Sequence, residues 1–209
     1  YRQHSKARRF NIAGGPFVSD NKIRPGAYSN VKAQQRLANA NAGRGKVATG
    51  LPMSWGDTIT EITLTDLLSN AFFEKTGLRY TDDEALPLRI LLENANTVYL
   101  YRLDETGVKA AASMMQDTTE IMQMTAKYPG VTGNKIVVAV ATAEASGSYN
   151  VVTTVDGVKV DKQNVKKATE LESTPWVDFD VVSDSNTQMV VGMYVLSGGV
   201  NGTVSAASY

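Results

Sequence analysis

Apolar positions change period several times along the chain, and each change marks an element. Short runs at 46–51 and 59–64 read as strands on either side of the turn-rich Pro52-Met53-Ser54-Trp55-Gly56. The next stretch sets Leu67, Leu68, Ala71 and Phe72 on one stripe, predicting a helix over 66–75 with Gly77 as its C-terminal cap. Thr81-Asp82-Asp83-Glu84 has the capping-box pattern and predicts a second helix, with Pro87 in its first turn and the stripe Leu86, Ile90, Leu91 running to Asn94. At 97–103 the sequence TVYLYRL is apolar or aromatic on both faces, the pattern of a strand covered on both sides in the middle of an α/β sheet.

Beyond Gly107 a period of two dominates. Strands are predicted at 109–115, 120–126 and 136–143, and 149–155 is joined to 158–162 through Asp156-Gly157, a strong hairpin signal between β-branched runs. A short amphipathic helix is expected at 165–171. In the run 176–182, Trp176, Asp178 and Asp180 alternate with Val177, Phe179 and Val181, so one face is buried and the other wet. A last apolar strand covers 189–196 before Ser197-Gly198-Gly199 and the turn Asn201-Gly202. Residues 1–24 show no sustained period and are too polar to order themselves by burial. There is no internal repeat and no heptad pattern.

Composition narrows the chemistry. The 209 residues suffice for one large domain or two small ones without metals or disulfides. Cysteine is absent and His4 is the single histidine, which removes disulfides, thiolate chemistry, Cys/His zinc sites and a Ser-His-Asp triad. No run approaches the ~20 apolar residues of a membrane span, and the basic start lacks a signal-peptide core. A soluble, non-secreted protein without membrane insertion is expected.

The zero net charge conceals an asymmetry. Residues 1–46 carry ten Lys and Arg against Asp20, hence +9, and the remainder carries 11 basic and 20 acidic residues, hence −9. A chain so divided attracts itself, within one molecule or between neighbours. Direct nucleic-acid binding is not expected, because Tyr1, Phe10, Phe17 and Tyr28 are too scattered to form a stacking platform beside the basic groups.

The local motifs favour structure over catalysis. Gly43-Arg44-Gly45-Lys46 lacks the P-loop's first glycine and following Ser/Thr, those positions being Ala40 and Val47, so it reads as a turn entering a strand. Asp178 and Asp180 share a strand face with no second polar wall opposite, which is a solvated face. Asp184-Ser185-Asn186 begins like a calcium loop, but Met189 and Val195 occupy its glycine and glutamate positions. No catalytic residue, metal ligand or cofactor site is assigned.

Four stretches carry a family resemblance: Ile23-Arg24-Pro25-Gly26-Ala27-Tyr28, ENANTVYLYRL at 93–103, TAKYPGVTGN at 125–134 and SGGVNGT at 197–203. In this order and spacing they resemble the sheath subunit of contractile bacteriophage tails and related particles. The resemblance implies a mixed α+β fold: an extended N-terminal arm (1–30), the first part of an α/β domain (31–104), an inserted β-sandwich (105–196) and a return linker (197–209). That linker would lead toward a C-terminal domain missing from this chain.

The resemblance also implies partners: neighbouring sheath subunits in stacked hexameric rings, the tail tube protein inside them, and the baseplate and tail terminator at the ends. Contraction of the array would drive the tube through the host envelope and lead to genome ejection. Ile23, Arg24, Pro25, Gly26, Ala27 and Tyr28 are the expected inter-subunit arm, pairing as a strand with a neighbour's sheet. Assembly in the host cytoplasm into a virion tail is the implied location. The alternatives are a β-sandwich module binding a surface ligand, and a nucleotide-using α/β enzyme, for which the phosphate loop is lacking. The sandwich is expected to fold alone, and 31–104 is not.

Overall fold

In the computed structural model the described residues are 45–103, 106–145, 147–182 and 188–208. All lie within one compact unit, Ala40–Tyr209. The fold is mostly β with few helices, and its larger part is a β-sandwich.

The first layer is a three-stranded sheet made of β1 (Lys46–Leu51), β2 (Ile59–Thr63) and β3 (Thr97–Arg102). β3 is central, parallel to β1 and antiparallel to β2. A parallel neighbour requires a long crossover. Two helices supply it, α1 (Ala71–Thr76) and α2 (Leu86–Asn94), and they cover one face of the sheet. Ile62, Val98 and Leu100 from the strands meet Phe72, Ala85, Leu88 and Leu92 in a small buried core.

The sandwich pairs a four-stranded antiparallel sheet with a three-stranded one. The first is ordered β10 (Gly192–Val195), β6 (Ile136–Thr142), β7 (Tyr149–Val155), β8 (Val158–Val165). The second is β4 (Ala111–Gln116), β5 (Thr119–Ala126), β9 (Val177–Val181). Met114, Met122 and Met124 from one sheet and Val138, Val151 and Val155 from the other fill the space between them. The β7–β8 turn is the expected hairpin: Asp156 and Gly157 both have positive φ, 49° and 76°, as a type I′ turn needs.

Several expectations are corrected. The helix expected over 66–75 is a 3-10 turn, Asp66–Leu68, separated from α1 by an extended Ser69. The Ser69 hydroxyl donates to the Asp66 carbonyl and accepts from the Ala71 amide, local bonds that compete with a continuous helix. Leu68, expected on the buried stripe, is 86% exposed. Asp82 makes no side-chain cap to the turn Asp83–Ala85 but accepts the Arg79 amide at 2.7 Å. The buried face of α2 runs through Leu88 and Leu92, leaving Leu86 and Ile90 half exposed. β8 extends to Val165, so the helix expected at 165–171 shrinks to a 3-10 turn, Ala168–Glu170. β3 is covered on one face only; Tyr101 on the other is 41% exposed.

Candidate assembly surfaces

Two tryptophans that the sequence places 121 positions apart organise the molecule. Trp55, in the loop between β1 and β2, is buried and stacks on Trp176 beside β9, with ring centroids 4.8 Å apart and planes at 24°. Tyr128 meets Trp55 edge-on at 5.3 Å, and Phe73 of α1 packs on Trp176 at 4.8 Å. The Trp55 indole N–H donates to the Glu74 carbonyl at 3.0 Å. The helical layer thereby inserts two aromatic rings into the sandwich core, which is one continuous cluster with them. Burial, with the Asp57 carboxylate nearby, pushes the Tyr128 phenol above its ordinary value.

Around this joint lies a polar clasp built from two of the family-like stretches. The Asn134 amide donates to the Gly199 carbonyl at 2.8 Å and accepts the Gly199 N–H at 2.7 Å. Asn201 accepts the Val131 N–H at 2.9 Å, and Ser54 and Thr132 share a hydroxyl bond of 2.7 Å. Gly130, at φ 124°, lets the chain pass against the Ser54 carbonyl, where a Cβ has no room. Bridges from Val108 to Val200 and from Ala111 to Ser197 bind residues 197–200 along the start of β4. TAKYPGVTGN and SGGVNGT are thus two halves of one contact. The sequence holds them far apart, and nothing in either stretch shows that they touch.

Of the two aspartates that β9 sets two residues apart, one is engaged in an ion pair. Asp178 is bound to Lys127 at 2.8 Å, and that bond raises the lysine above its ordinary value. Among the described residues no three His, Cys, Asp or Glu side chains group as a metal site, and no helix is long and apolar enough to cross a membrane. Arg79 joins the α1–α2 loop to the β7–β8 hairpin through the carboxylate and carbonyl of Asp156, at 3.1 and 2.9 Å.

What remains open is surface. The uncovered face of the three-stranded sheet presents Ala48, Gly50, Ile59, Glu61, Tyr99 and Tyr101, which the strand register sets side by side. Lys46 lies across Tyr99, its ammonium 3.3 Å from the phenol oxygen. The outward row Leu86 and Ile90 of α2 is a second such surface, and Met193 with Val195 on edge strand β10 a third. Ile23, Arg24, Pro25, Gly26, Ala27 and Tyr28 lie outside the described residues.

Known proteins resemble this chain in sequence and in fold. Residues 105–201 match the phage tail sheath protein β-sandwich domain. The chain is 34% identical to a sheath tail protein of Listeria innocua, with a TM-score of 0.68 over 79% of this chain and 36% of that one. The chain belongs to the phage tail sheath proteins. A sheath tail protein of Desulfitobacterium hafniense is similar at 29% identity and a TM-score of 0.67, over 88% of this sheath chain and 41% of its own. Among curated relatives, a phage-like element PBSX protein of Bacillus subtilis is 37% identical over 82% of this chain and 36% of its own length. This sheath chain therefore spans about a third of that relative. Its family is a structural one, made of oligomerising components of phage tails or phage-tail-like particles.

Proposed function

We propose that this chain forms the N-terminal part of a contractile sheath subunit that stacks as hexameric rings around a tail tube, between a baseplate and a tail terminator. On triggering, the array shortens and drives the tube through the host envelope, the step that precedes genome ejection. Assembly takes place in the host cytoplasm. In this reading residues 1–30 are an arm, with Ile23–Tyr28 pairing along a neighbour's sheet, 31–104 begin an α/β domain, 105–196 are its inserted sandwich and 197–209 lead onward. The observation that carries it is the likeness to sheath tail proteins across both layers, 79% of the chain at a TM-score of 0.68. The uncovered face of the three-stranded sheet supports it too, since a strand with Val98 and Leu100 on one side and Tyr99 and Tyr101 on the other has a second apolar side to bury.

Negative-stain microscopy of the subunit at the length of its relatives tests the proposal. Striated tubes are expected from the intact subunit, and their loss, with the sandwich still folded by circular dichroism, from a form lacking residues 1–30. Tubes of normal appearance from the truncated form would remove the arm from the mechanism, and a strictly monomeric intact subunit would overturn the assembly itself.

A further inference from the structure

Asn201 and Gly202 form the one Asn-Gly pair in the chain, and Asn201 is part of the polar clasp. Glycine has no Cβ to shield its amide nitrogen, so an asparagine before it is open to attack by the next backbone amide. The two asparagines of the clasp are held differently. Asn134 is engaged at both side-chain atoms, its Nδ2 donating to the Gly199 carbonyl and its Oδ1 accepting the Gly199 N–H, and it precedes Lys135. Asn201 is engaged at Oδ1, where the Val131 N–H donates at 2.9 Å, while its Nδ2 makes no hydrogen bond among the described residues. The Gly202 N–H makes none there either. Asn201 is exposed and lines an open cleft of about 480 Å³ with Met53, Ser54 and Val131, so water reaches it.

We propose that Asn201 is a self-modifying site, converting through a cyclic imide to aspartate and isoaspartate, and that the isoaspartate form loosens the clasp. The Gly202 nitrogen gives up its proton and bonds to Asn201 Cγ, closing a five-membered ring. Nucleophile and carbonyl are tethered, so no encounter is needed. The negative charge that develops on Oδ1 falls where the Val131 N–H already donates, which favours the addition as an oxyanion donor does. The unbound Nδ2 takes up a proton and leaves as ammonia. Water then adds to one of the two ring carbonyls and breaks its bond to the ring nitrogen. Opening at Cγ gives aspartate, and opening at the α-carbonyl gives isoaspartate; nothing is oxidised or reduced, and water is the co-reactant. The two products differ in geometry. Aspartate keeps an acceptor for the Val131 N–H. Isoaspartate inserts its Cβ into the main chain between Val200 and Gly202, a stretch with no slack: Val200 exchanges backbone bonds of 2.8 and 3.0 Å with Val108. Gly107 lies so close that a Cβ on it would run into the Val200 carbonyl oxygen and stand 2.9 Å from the Gly202 nitrogen.

The test holds the whole 209-residue chain at mildly alkaline pH and maps it by mass spectrometry, with isoaspartate labelled by an isoaspartyl methyltransferase. Asn201 is expected to convert at least about tenfold faster than Asn134, Asn150 or Asn164, and faster still as pH rises, because the Gly202 nitrogen must lose its proton. Gly202→Ala shields that nitrogen and slows the conversion about tenfold. Val131→Pro removes the donor at the first position of the 3-10 turn Val131–Lys135, where proline's φ is tolerated, and slows it separately. Chains aged until Asn201 is largely converted melt about 2–4 °C lower, whereas Asn201→Asp melts like the unaged chain. The comparison among asparagines is made within the unmodified chain, so it stands even where a variant fails to fold. Asn201 left intact while Asn150 or Asn164 converts overturns the site, as does a Gly202→Ala rate equal to that of the unmodified chain. An undiminished rate in Val131→Pro removes the Val131 amide from the step. Conversion at Asn201 with an unchanged melting temperature, or an equal loss in Asn201→Asp, overturns the effect of isoaspartate on the clasp.

Discussion

Asp66 shows how one carboxylate shapes the helical layer. Its Oδ2 accepts the Thr63 amide at 2.7 Å, the Thr63 hydroxyl at 2.8 Å and the Lys75 ammonium at 2.9 Å. Partial burial alone would raise its pKa, but these donors together outweigh that and hold the carboxyl below its ordinary range. Among the donors the Thr63 amide acts most strongly and the Lys75 ammonium next, but Lys75 is more than a third exposed, so the ion pair itself adds little to stability. Asp66→Asn is expected to lower stability by about 1–3 kcal/mol at neutral pH, read by urea denaturation. A depressed carboxylate stabilises the fold above its unfolded pKa and loses that contribution as pH falls through its folded value. The difference between wild type and variant therefore shrinks in acid. A difference that stayed constant from neutral pH into strong acid would assign the loss to packing instead of charge.

At the scale of elements, Gly77 decides where α1 stops. It sits at φ 68°, in the left-handed region, and returns its amide to the Phe73 carbonyl at 2.8 Å. A Cβ there would stand 2.6 Å from the Cβ of Trp55. Gly77→Ala thus combines backbone strain with displacement of the aromatic joint, and a loss of about 2–4 kcal/mol is expected by thermal or chemical melting. A neutral outcome would mean that Trp55 shifts freely. This cap was legible in the sequence, as was the Asp156-Gly157 hairpin, because both depend on turn chemistry within a few residues. The buried side of α2 was not. Leu86 with Ile90 and Leu88 with Leu92 both satisfy helical spacing, and only the sheet beneath the helix selects the second pair. The break at Ser69 was likewise hidden, since an apolar stripe continues through it while hydroxyl bonds end the helix. The strands of the sandwich are legible in outline, because alternation of period two survives errors at either end; the largest are at β8, which runs three residues past the expected end, and β10, which starts three residues late.

For the whole body of described residues, the central question is whether its two layers unfold together or apart. Strand alternation after Gly107 suggests a sandwich that folds by itself, and residues 105–201 match a family domain of that kind. The joint complicates this, for Trp55 and Phe73 reach the sandwich core from outside that span, and Trp55 is 1% exposed there. No pattern in the sequence could reveal such a contact, since Trp55 lies in a turn-rich loop and its partner Trp176 at a position the strand alternation assigns to the wet face. Removing a buried tryptophan leaves a cavity costing about 3–5 kcal/mol, a large share of the roughly 5–15 kcal/mol that stabilises an ordinary domain. Were the layers independent, Trp55→Ala would harm only the helical one. The shared core predicts otherwise: the unmodified chain melts in a single cooperative transition, followed alike by helix and sheet signals. Trp55→Ala is then expected to lower that transition for both signals together. Hydrogen exchange gives the finer reading, with amides of β9 and of α1 losing protection in parallel in the variant. If β9 kept its full protection while α1 opened, the tryptophan stack would be a contact between two separately stable parts, and the sandwich would stand on its own as its strand pattern suggests.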